Sequence, residues 1–278
     1  GFLFTDTPPE EEDSEDVEDS GGGDGEPTGL YGGMVEFDYI VVGCPSCFGF
    51  TEYLNVEATG IFHEGTTESW TNWIPSNGNC VSNPNRNGPT SEFWDVGEHV
   101  YLESGTAVSL DLRRTQESDA IRYQTFGLTQ ADYIKNASYD LVLPDTASES
   151  NDLVLTTSGF DTISPTDILN DSASAFPPFS ASNARFTWSP TGVARSFVVN
   201  FQIFDSTGAA LLGDVVCAGD DNGSLMVPSS YLSGFPNGSL MAIYFYRWNE
   251  NEVVDSVTGH TMTGASAFGG LGTGTLRP

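Results

Sequence analysis

The stretch Ser196-Phe-Val-Val-Asn-Phe-Gln-Ile-Phe204 decides the fold class of this chain. Aromatic and β-branched side chains fill it, and neither Gly nor Pro interrupts it, which is typical of a buried β-strand. The run Leu240-Met-Ala-Ile-Tyr-Phe-Tyr-Arg247 has the same character. Between them, Asp205-Ser-Thr-Gly208 and Asp221-Asn-Gly223 contain residues that tolerate the positive φ of tight hairpins. The sequence therefore predicts an all-β protein.

Regularly spaced turns indicate how these strands are arranged. Six or seven short strands separated by such turns in about a hundred residues favour an antiparallel β-sandwich. We therefore predict a sandwich domain over residues 180–278, with further strands at Arg185–Trp188, Asp214–Cys217, Ser224–Val227 and Val253–Asp255.

Part of this domain resembles a known class of module. The motifs are Phe186-Thr-Trp-Ser-Pro190, Phe197-Val-Val, Val216-Cys217 with Asp220-Asp-Asn-Gly-Ser224, Met226-Val-Pro228 and Tyr246-Arg247. Together, over about residues 184–250, they resemble immunoglobulin- or fibronectin-like modules of bacterial cell-surface and lipoprotein-type proteins. The resemblance implies a surface-exposed β-sandwich without inherent catalysis.

The preceding part, residues 34–175, is predicted to form a second β-rich domain that contains Cys44, Cys47 and Cys80. Strand patterns lie at 35–42, 52–58, 99–102, 107–113 and 139–143. The Asn- and Gly-rich stretch 75–89 reads as a loop, and Ser118 to Lys135 is the one helix-like run. The glycine-rich stretch 264–274 predicts either an irregular edge strand or a loose tail.

The amino-terminal residues have a different composition. Residues 10–33 form an acidic, Gly-rich linker, which we expect to be disordered because it has few apolar side chains to offset its conformational entropy. Ahead of it, residues 1–9 include the apolar Phe2, Leu3 and Phe4. Two readings remain open for these three residues: they fold back onto their own domain, or they are donated as a strand to the sheet edge of another subunit.

Charge limits the partners of the protein. The chain has 9 Lys and Arg against 39 Asp and Glu, a formal net charge of −30. Such a surface repels nucleic acid and anionic lipid, so neither is an expected partner. No apolar stretch approaches the ~20 residues that span a bilayer. Because the first residue is Gly, we also expect that a targeting segment has been removed.

Four cysteines indicate disulfide bonds in an exported protein. Four cysteines allow three pairings, and we expect Cys80 to pair with Cys44 or Cys47. Cys217 would then pair across domains or between subunits. The short spacing between Cys44 and Cys47 leaves zinc binding or thiol exchange open as the alternative.

Candidate binding and catalytic residues are few. Asp220, Asp221 and Asn222 offer hard oxygen ligands on a tight turn, a calcium candidate that a plain hairpin also explains. Trp70, Trp73 and Trp94 flank the Asn- and Gly-rich loop; we expect these rings to pack in the core, with stacking on a glycan as the alternative. His63, His99 and His260 match no catalytic spacing, and we expect neither catalysis nor an obligatory cofactor.

These observations predict a noncatalytic extracellular or cell-surface structural protein that assembles with itself into a filament or surface layer. Donation of the strand Phe2-Leu3-Phe4 is one possible mode of contact, and folding back of these residues onto their own domain stays open. A carbohydrate-binding or adhesion module is the alternative, and a secreted hydrolase is a third hypothesis.

Overall fold

The structure is a computed structural model of the 278-residue chain. It describes residues 29–49, 51–65, 71–86, 92–105, 108–117, 120–125, 127–144, 146, 149–156, 163–169, 176–191, 194–256 and 258–278.

Sixteen β-strands make up most of this part of the chain. They are β1 (Tyr31–Val42), β2 (Leu54–Glu64), β3 (Asn79–Ser82), β4 (His99–Ser104), β5 (Val108–Glu117), β6 (Ala120–Thr125), β7 (Ser138–Val142), β8 (Glu149–Val154), β9 (Ile163–Ser164), β10 (Pro178–Ser180), β11 (Arg185–Trp188), β12 (Ser196–Phe204), β13 (Leu211–Gly219), β14 (Ser224–Met226), β15 (Leu240–Val254) and β16 (Thr261–Arg277). The described helices are short: α1 (Pro45–Phe48) and the 3₁₀ turns Thr166–Leu169, Ala181–Asn183 and Ser229–Tyr231.

One mixed sheet of 13 strands dominates the fold. Its order is β3-β13-β12-β15-β16-β1-β2-β6-β5-β4-β7-β8, and β10 pairs with β16 beside this path. Most neighbours are antiparallel, but β1 and β16 run parallel, with Gly32 opposite Thr261 and Val42 opposite Leu271. A smaller sheet contains β14, β11 and β9.

The glycine-rich stretch 264–274 lies in β16, at the centre of the large sheet between β15 and β1. The absence of side chains at its glycines lets the neighbouring chain approach closely. A Cβ built on Gly269 would lie 1.9 Å from the backbone oxygen of Phe245 and 2.5 Å from Cα of Tyr246. The expectation of an edge strand or loose tail was therefore wrong, because glycine here permits close strand packing.

Alternation along β1 divides the sheet into two faces. Phe37 and Tyr39 point into a core that also holds Phe62, Tyr123 and Phe268. β8 contacts β15 and β16, so the far arm of the sheet curves back over this core. On the side of the large sheet to which Phe37 and Tyr39 point, β12 and β15 pack against the small sheet. There the rings of Trp188 and Phe197 stack with their centroids 3.6 Å apart.

The opposite face carries a third cluster, which mixes apolar and polar side chains. Ala265, Ala267 and Leu271 of β16 lie there with Tyr246 and Trp248 of β15. Glu36 and Asp38 of β1 alternate with Met34 and Ile40 and point to this same face. Part of segment 71–86 covers the cluster, since Trp73 belongs to it and Ile74 and Val81 pack against it.

The prediction of an all-β protein is confirmed. The predicted helix over 118–135 was wrong, because its described residues include strand β6, which pairs with β5 and β2. Strands from both predicted domains, 34–175 and 180–278, belong to the large sheet. The division into two Ig-like antiparallel sandwiches stays a prediction. The predicted linker, 10–33, lies mostly outside the described residues, and its last three residues belong to β1.

Candidate functional site

The candidate functional site is the outer edge of β13, the side of this strand that faces β3. β3 pairs with only part of β13, from Val215 opposite Ser82 to Ala218 opposite Asn79. Within this short pairing, Cys217 lies directly opposite Cys80, and the two form a disulfide with a Cα–Cα distance of 4.0 Å. The bridge attaches β3 to the edge, which backbone hydrogen bonds along only four residues would hold weakly.

The pairing of β3 with β13 ends at Asp214. The backbone N–H of Asn83 donates to the carbonyl oxygen of Asp214 at 2.7 Å, and the Asp214 N–H donates to Oδ1 of Asn83 at 2.9 Å. Asn83 has a φ of 48°, a left-handed conformation that turns the chain out of the strand direction. Arg86 then donates to Oδ2 of Asp214 from Nε at 2.9 Å and Nη2 at 2.6 Å.

Asp214 itself stays partly desolvated beside this arginine. Burial raises the pKa of the Asp214 carboxyl, although the Arg86 guanidinium acts in the opposite direction. Arg86 also lies over the Trp73 ring, 4.4 Å from its centroid. Asn83 and Arg86 thus close the edge up to Asp214 and no further.

Beyond Asp214, an apolar piece of the edge remains open. Leu211 is 57% exposed and Leu212 is 42% exposed, although both belong to β13. On the inner side β13 pairs with β12, with a bulge where Leu211 is opposite Phe204 and Gly213 is opposite Ile203. Among the described strands none pairs with the outer side of residues 211–213. An exposed apolar strand edge of this kind can accept a further strand.

The residues predicted to donate a strand, Phe2, Leu3 and Phe4, lie outside the described residues, and so does Trp70. Trp73 and Trp94 are described and are 6% and 8% exposed. Trp94 packs against Tyr31 and His260, with ring centroids 4.4 and 5.3 Å away. The expected core packing is therefore confirmed for Trp73 and Trp94, and the alternative of exposed rings that stack on a glycan was wrong for both.

The cysteine pairing differs from the prediction. Disulfide bonding is confirmed for all four cysteines, as Cys44–Cys47 and Cys80–Cys217. The expected bridge from Cys80 to Cys44 or Cys47 was wrong, because β3 crosses to the edge strand β13 of the other half of the sequence. Cys217 pairs with a cysteine of the predicted first domain, 34–175, so the alternative of a pairing across the two parts of the chain is confirmed, and the alternative of a bridge to another subunit was wrong.

The side-chain oxygens of the calcium candidate, Asp220, Asp221 and Asn222, accept hydrogen bonds from the protein itself. Asp221 accepts from Trp188 Nε1 at 2.6 Å and Thr191 Oγ1 at 3.0 Å, and it pairs with Arg247 at 3.2 Å. Burial opposes ionisation, but these donors outweigh it and the pKa of Asp221 is lowered. Asp220 accepts from Nδ2 of Asn77 at 2.7 Å, and Oδ1 of Asn222 accepts from the Ser224 N–H at 3.2 Å. No group of three or more His, Cys, Asp or Glu residues suited to a metal occurs in the described part of the chain.

A second acidic pair lies inside the fold. Glu36 and Asp38 are 8% and 2% exposed on the same face of β1. Burial raises the pKa of both carboxyls, and for Glu36 the neighbouring Asp38 raises it further. Two buried carboxyls this close favour sharing a proton. Their burial also keeps them away from a dissolved substrate.

The histidines occupy structural positions in three different places. Nδ1 of His99 lies 2.7 Å from Oδ1 of Asp111, on the partly exposed strands β4 and β5. His260 accepts from the Tyr31 N–H at 3.2 Å, and burial lowers its pKa, so its ring favours the neutral form. His63 is 2% exposed in β2. The side chains of His99 and Asp111 are 42% and 35% exposed.

Sequence reasoning missed both the open edge and the buried acidic pair. Leu211-Leu212 comes two residues after the turn Asp205-Ser-Thr-Gly208, and two consecutive apolar residues on an edge strand cannot both face the core. Glu36 and Asp38 stand at alternate positions in an otherwise apolar strand pattern. Both signals were present, but strand order was needed to interpret them.

Comparisons with protein-family models, with curated proteins and with solved structures each find no match to this chain. Among the described residues, no helix has the length and apolar character needed to cross a membrane.

Proposed function

We propose that this chain is a noncatalytic extracellular structural protein that assembles with itself, without covalent links between subunits, into a filament or surface layer. The observation that carries the proposal is the open apolar edge of β13 at Leu211 and Leu212. Natural sheets generally protect such edges with charge, proline or a covering segment, and this one presents two leucines. A strand edge that pairs with a strand of another subunit needs to be exposed and apolar in this way.

The rest of the edge supports the same function. The Cys80–Cys217 disulfide holds β3 to β13, so the strand beside the open edge is fixed in place. Both disulfides lie within the chain, which leaves subunit contacts to strand pairing and apolar burial. Assembly by these contacts is reversible and depends on salt, because the subunits repel each other through a net charge of −30.

The absence of catalysis is supported by how the reactive side chains are used. Asp221 is neutralised by Arg247, and Glu36 and Asp38 are buried. The His99–Asp111 pair is partly exposed to solvent, with the side chains 42% and 35% exposed. A glycan-binding role has lost its main support, since Trp73 and Trp94 are buried.

The extracellular location is supported by two disulfides, which persist in oxidising compartments. The finer features of the proposal come from the sequence. They are a solvated acidic tether ahead of β1, which separates Phe2-Leu3-Phe4 from the sheet, and a division of the remainder into two Ig-like sandwich units.

Light scattering on the full chain tests self-assembly. The weight-average mass should rise with protein concentration, and it should rise more steeply as sodium chloride screens the acidic surfaces. Electron microscopy of the same samples should show regular filaments or sheets. On a non-reducing denaturing gel these assemblies should run as single chains. A monomer mass at every concentration and salt level would refute the proposal, and covalent oligomers on the gel would refute its noncovalent part.

A further inference from the structure

The acceptor edge and the start of the first strand lie at opposite ends of the large sheet. β1 begins at Tyr31, and its next residue, Gly32, is opposite Thr261 near the start of β16. Leu211 is opposite Phe204, which is opposite Leu240, which in turn is opposite Thr275 near the end of β16. The distance from Thr261 to Thr275 along the strand direction is about 45 Å, at ~3.3 Å per residue.

We propose that the open edge at Leu211 and Leu212 receives the segment Phe2-Leu3-Phe4 of a second copy of the chain, so that subunits join head to tail. This inference rests on the proposed function and adds its donor, its acceptor and its direction. The donor segment precedes one end of the sheet, while the acceptor edge lies at the other end.

The two surfaces match in chemistry. The exposed part of the edge is Leu211 and Leu212, since Gly213 is buried against Phe235 and Asn83. The donor offers three consecutive apolar residues with no Pro among them. An added strand would pair its backbone with the outer side of β13 in line with β3, which leaves the edge at Asn83. Its alternate side chains would place Phe2 and Phe4 on one face and Leu3 on the other, beside the exposed Leu211 and Leu212.

Linker length favours a second copy over the same chain. The 26 residues from Thr5 to Leu30 have a relaxed end-to-end distance of roughly 28 Å if they form a flexible coil. To reach its own acceptor, this linker would have to cover the ~45 Å length of the sheet. When a second subunit stacks on the Tyr31 end of the sheet, its acceptor edge can lie close to Tyr31 of the first subunit. The linker then does not have to cover the length of the sheet.

The geometry also fixes the type of assembly. Donor and acceptor are different surfaces, so the contact is heterologous and each added subunit presents a new free acceptor. Such contacts produce open-ended filaments unless the rotation between subunits closes a ring.

A mixing experiment tests donor, acceptor and direction together. The donor variant replaces Phe2, Leu3 and Phe4 by Ser, and the acceptor variant is Leu211→Ser with Leu212→Ser. Met226→Ser is the matched control, because Met226 is 50% exposed on β14, away from the open edge. Because all the replaced residues of β13 and β14 are exposed, thermal melting should show folded proteins in each case. The mass of each full-length variant, alone and mixed, is then measured by sedimentation velocity.

Each variant alone should remain monomeric at a concentration at which the wild type and Met226→Ser form long assemblies. An equimolar mixture of the donor and acceptor variants should form dimers and stop there, since one intact donor meets one intact acceptor and no active pair remains. Continued polymerisation of either variant would overturn this inference while leaving self-assembly intact. A mixture that stays monomeric would likewise overturn it. Failure of the wild type to assemble would instead refute the proposed function.

Discussion

Cys80 and Cys217 lie directly opposite each other on β3 and β13, and their disulfide closes a loop with a sequence separation of 137 residues. The bridge joins the first half of the chain to the second at the edge of the sheet. The other disulfide, Cys44–Cys47, spans a separation of only three residues beside α1. Loop length makes these bridges very different in their effect on the unfolded chain.

Replacing both Cys80 and Cys217 by Ser should lower the free energy of unfolding by about 4–5 kcal/mol, since the long loop restricts the unfolded ensemble most. Replacing Cys44 and Cys47 by Ser should cost less than about 2 kcal/mol by the same relation. Urea unfolding followed by tryptophan fluorescence gives both values. Equal losses for the two double variants would contradict this account.

The buried ion pair between Asp221 and Arg247 should dominate the stability of the small sheet. Asp221→Asn removes the Asp221 carboxylate from the fully buried Arg247 and should cost about 3–5 kcal/mol. The matched variant Asp220→Asn alters an exposed carboxylate and should cost less than about 1 kcal/mol. Chemical denaturation at neutral pH measures both. A similar small loss in each would show that the ion pair contributes little.

The pKa of Asp221 also gives this contribution a pH dependence. Because the folded-state pKa is lowered from 3.8, the stabilisation is present above the unfolded pKa and is lost as the pH falls through the folded pKa. The difference in unfolding free energy between wild type and Asp221→Asn should therefore shrink below about pH 4. A difference that stays constant down to pH 2 would contradict the ionised state assigned to Asp221.

Glu36 should behave in the opposite way. Burial and Asp38 raise its pKa, so the stability it provides is present below its unfolded pKa and is lost as the pH rises through the folded pKa. Glu36→Gln removes the cost of ionisation and should raise the unfolding free energy at neutral pH by about 1–3 kcal/mol. Near pH 3 the gain should disappear. Glu103→Gln, on the exposed part of β4, is the control and should change little at either pH. Thermal melts across this pH range measure these changes. A destabilising effect of Glu36→Gln at pH 7 would contradict the prediction.

The central position of β16 can be tested with two glycines. Gly269→Ala would place a Cβ against the backbone of Phe245 and Tyr246, which cannot move aside without displacing β15, so it should cost about 3 kcal/mol or more. At Gly274 the nearest atoms, 3.1–3.2 Å away, include the mobile side-chain ends of Met241 and Ile243. Gly274→Ala should therefore cost about 1 kcal/mol. The melting temperatures of the two variants test this prediction. A larger decrease for Gly274→Ala than for Gly269→Ala would contradict it.

The sequence by itself determined the strand character of this protein. Runs such as 196–204 and 185–188 carry their own signal, because β-branched and aromatic side chains fit a pleated, half-buried surface whatever their partners are. The acidic composition and the even number of cysteines are likewise local or additive properties. Local pattern failed at 118–135, where pairing with β5 and β2 outweighed a weak helical tendency.

Only the tertiary structure decided which strands are neighbours, and the functional features follow from that order. The parallel pairing of β1 with β16 makes a glycine-rich segment central, and the placement of β3 on β13 selects Cys217 as the partner of Cys80. The same placement ends at Asp214 and leaves Leu211 and Leu212 exposed. These contacts join residues far apart in sequence, and their energies depend on complementary partners that no local pattern contains.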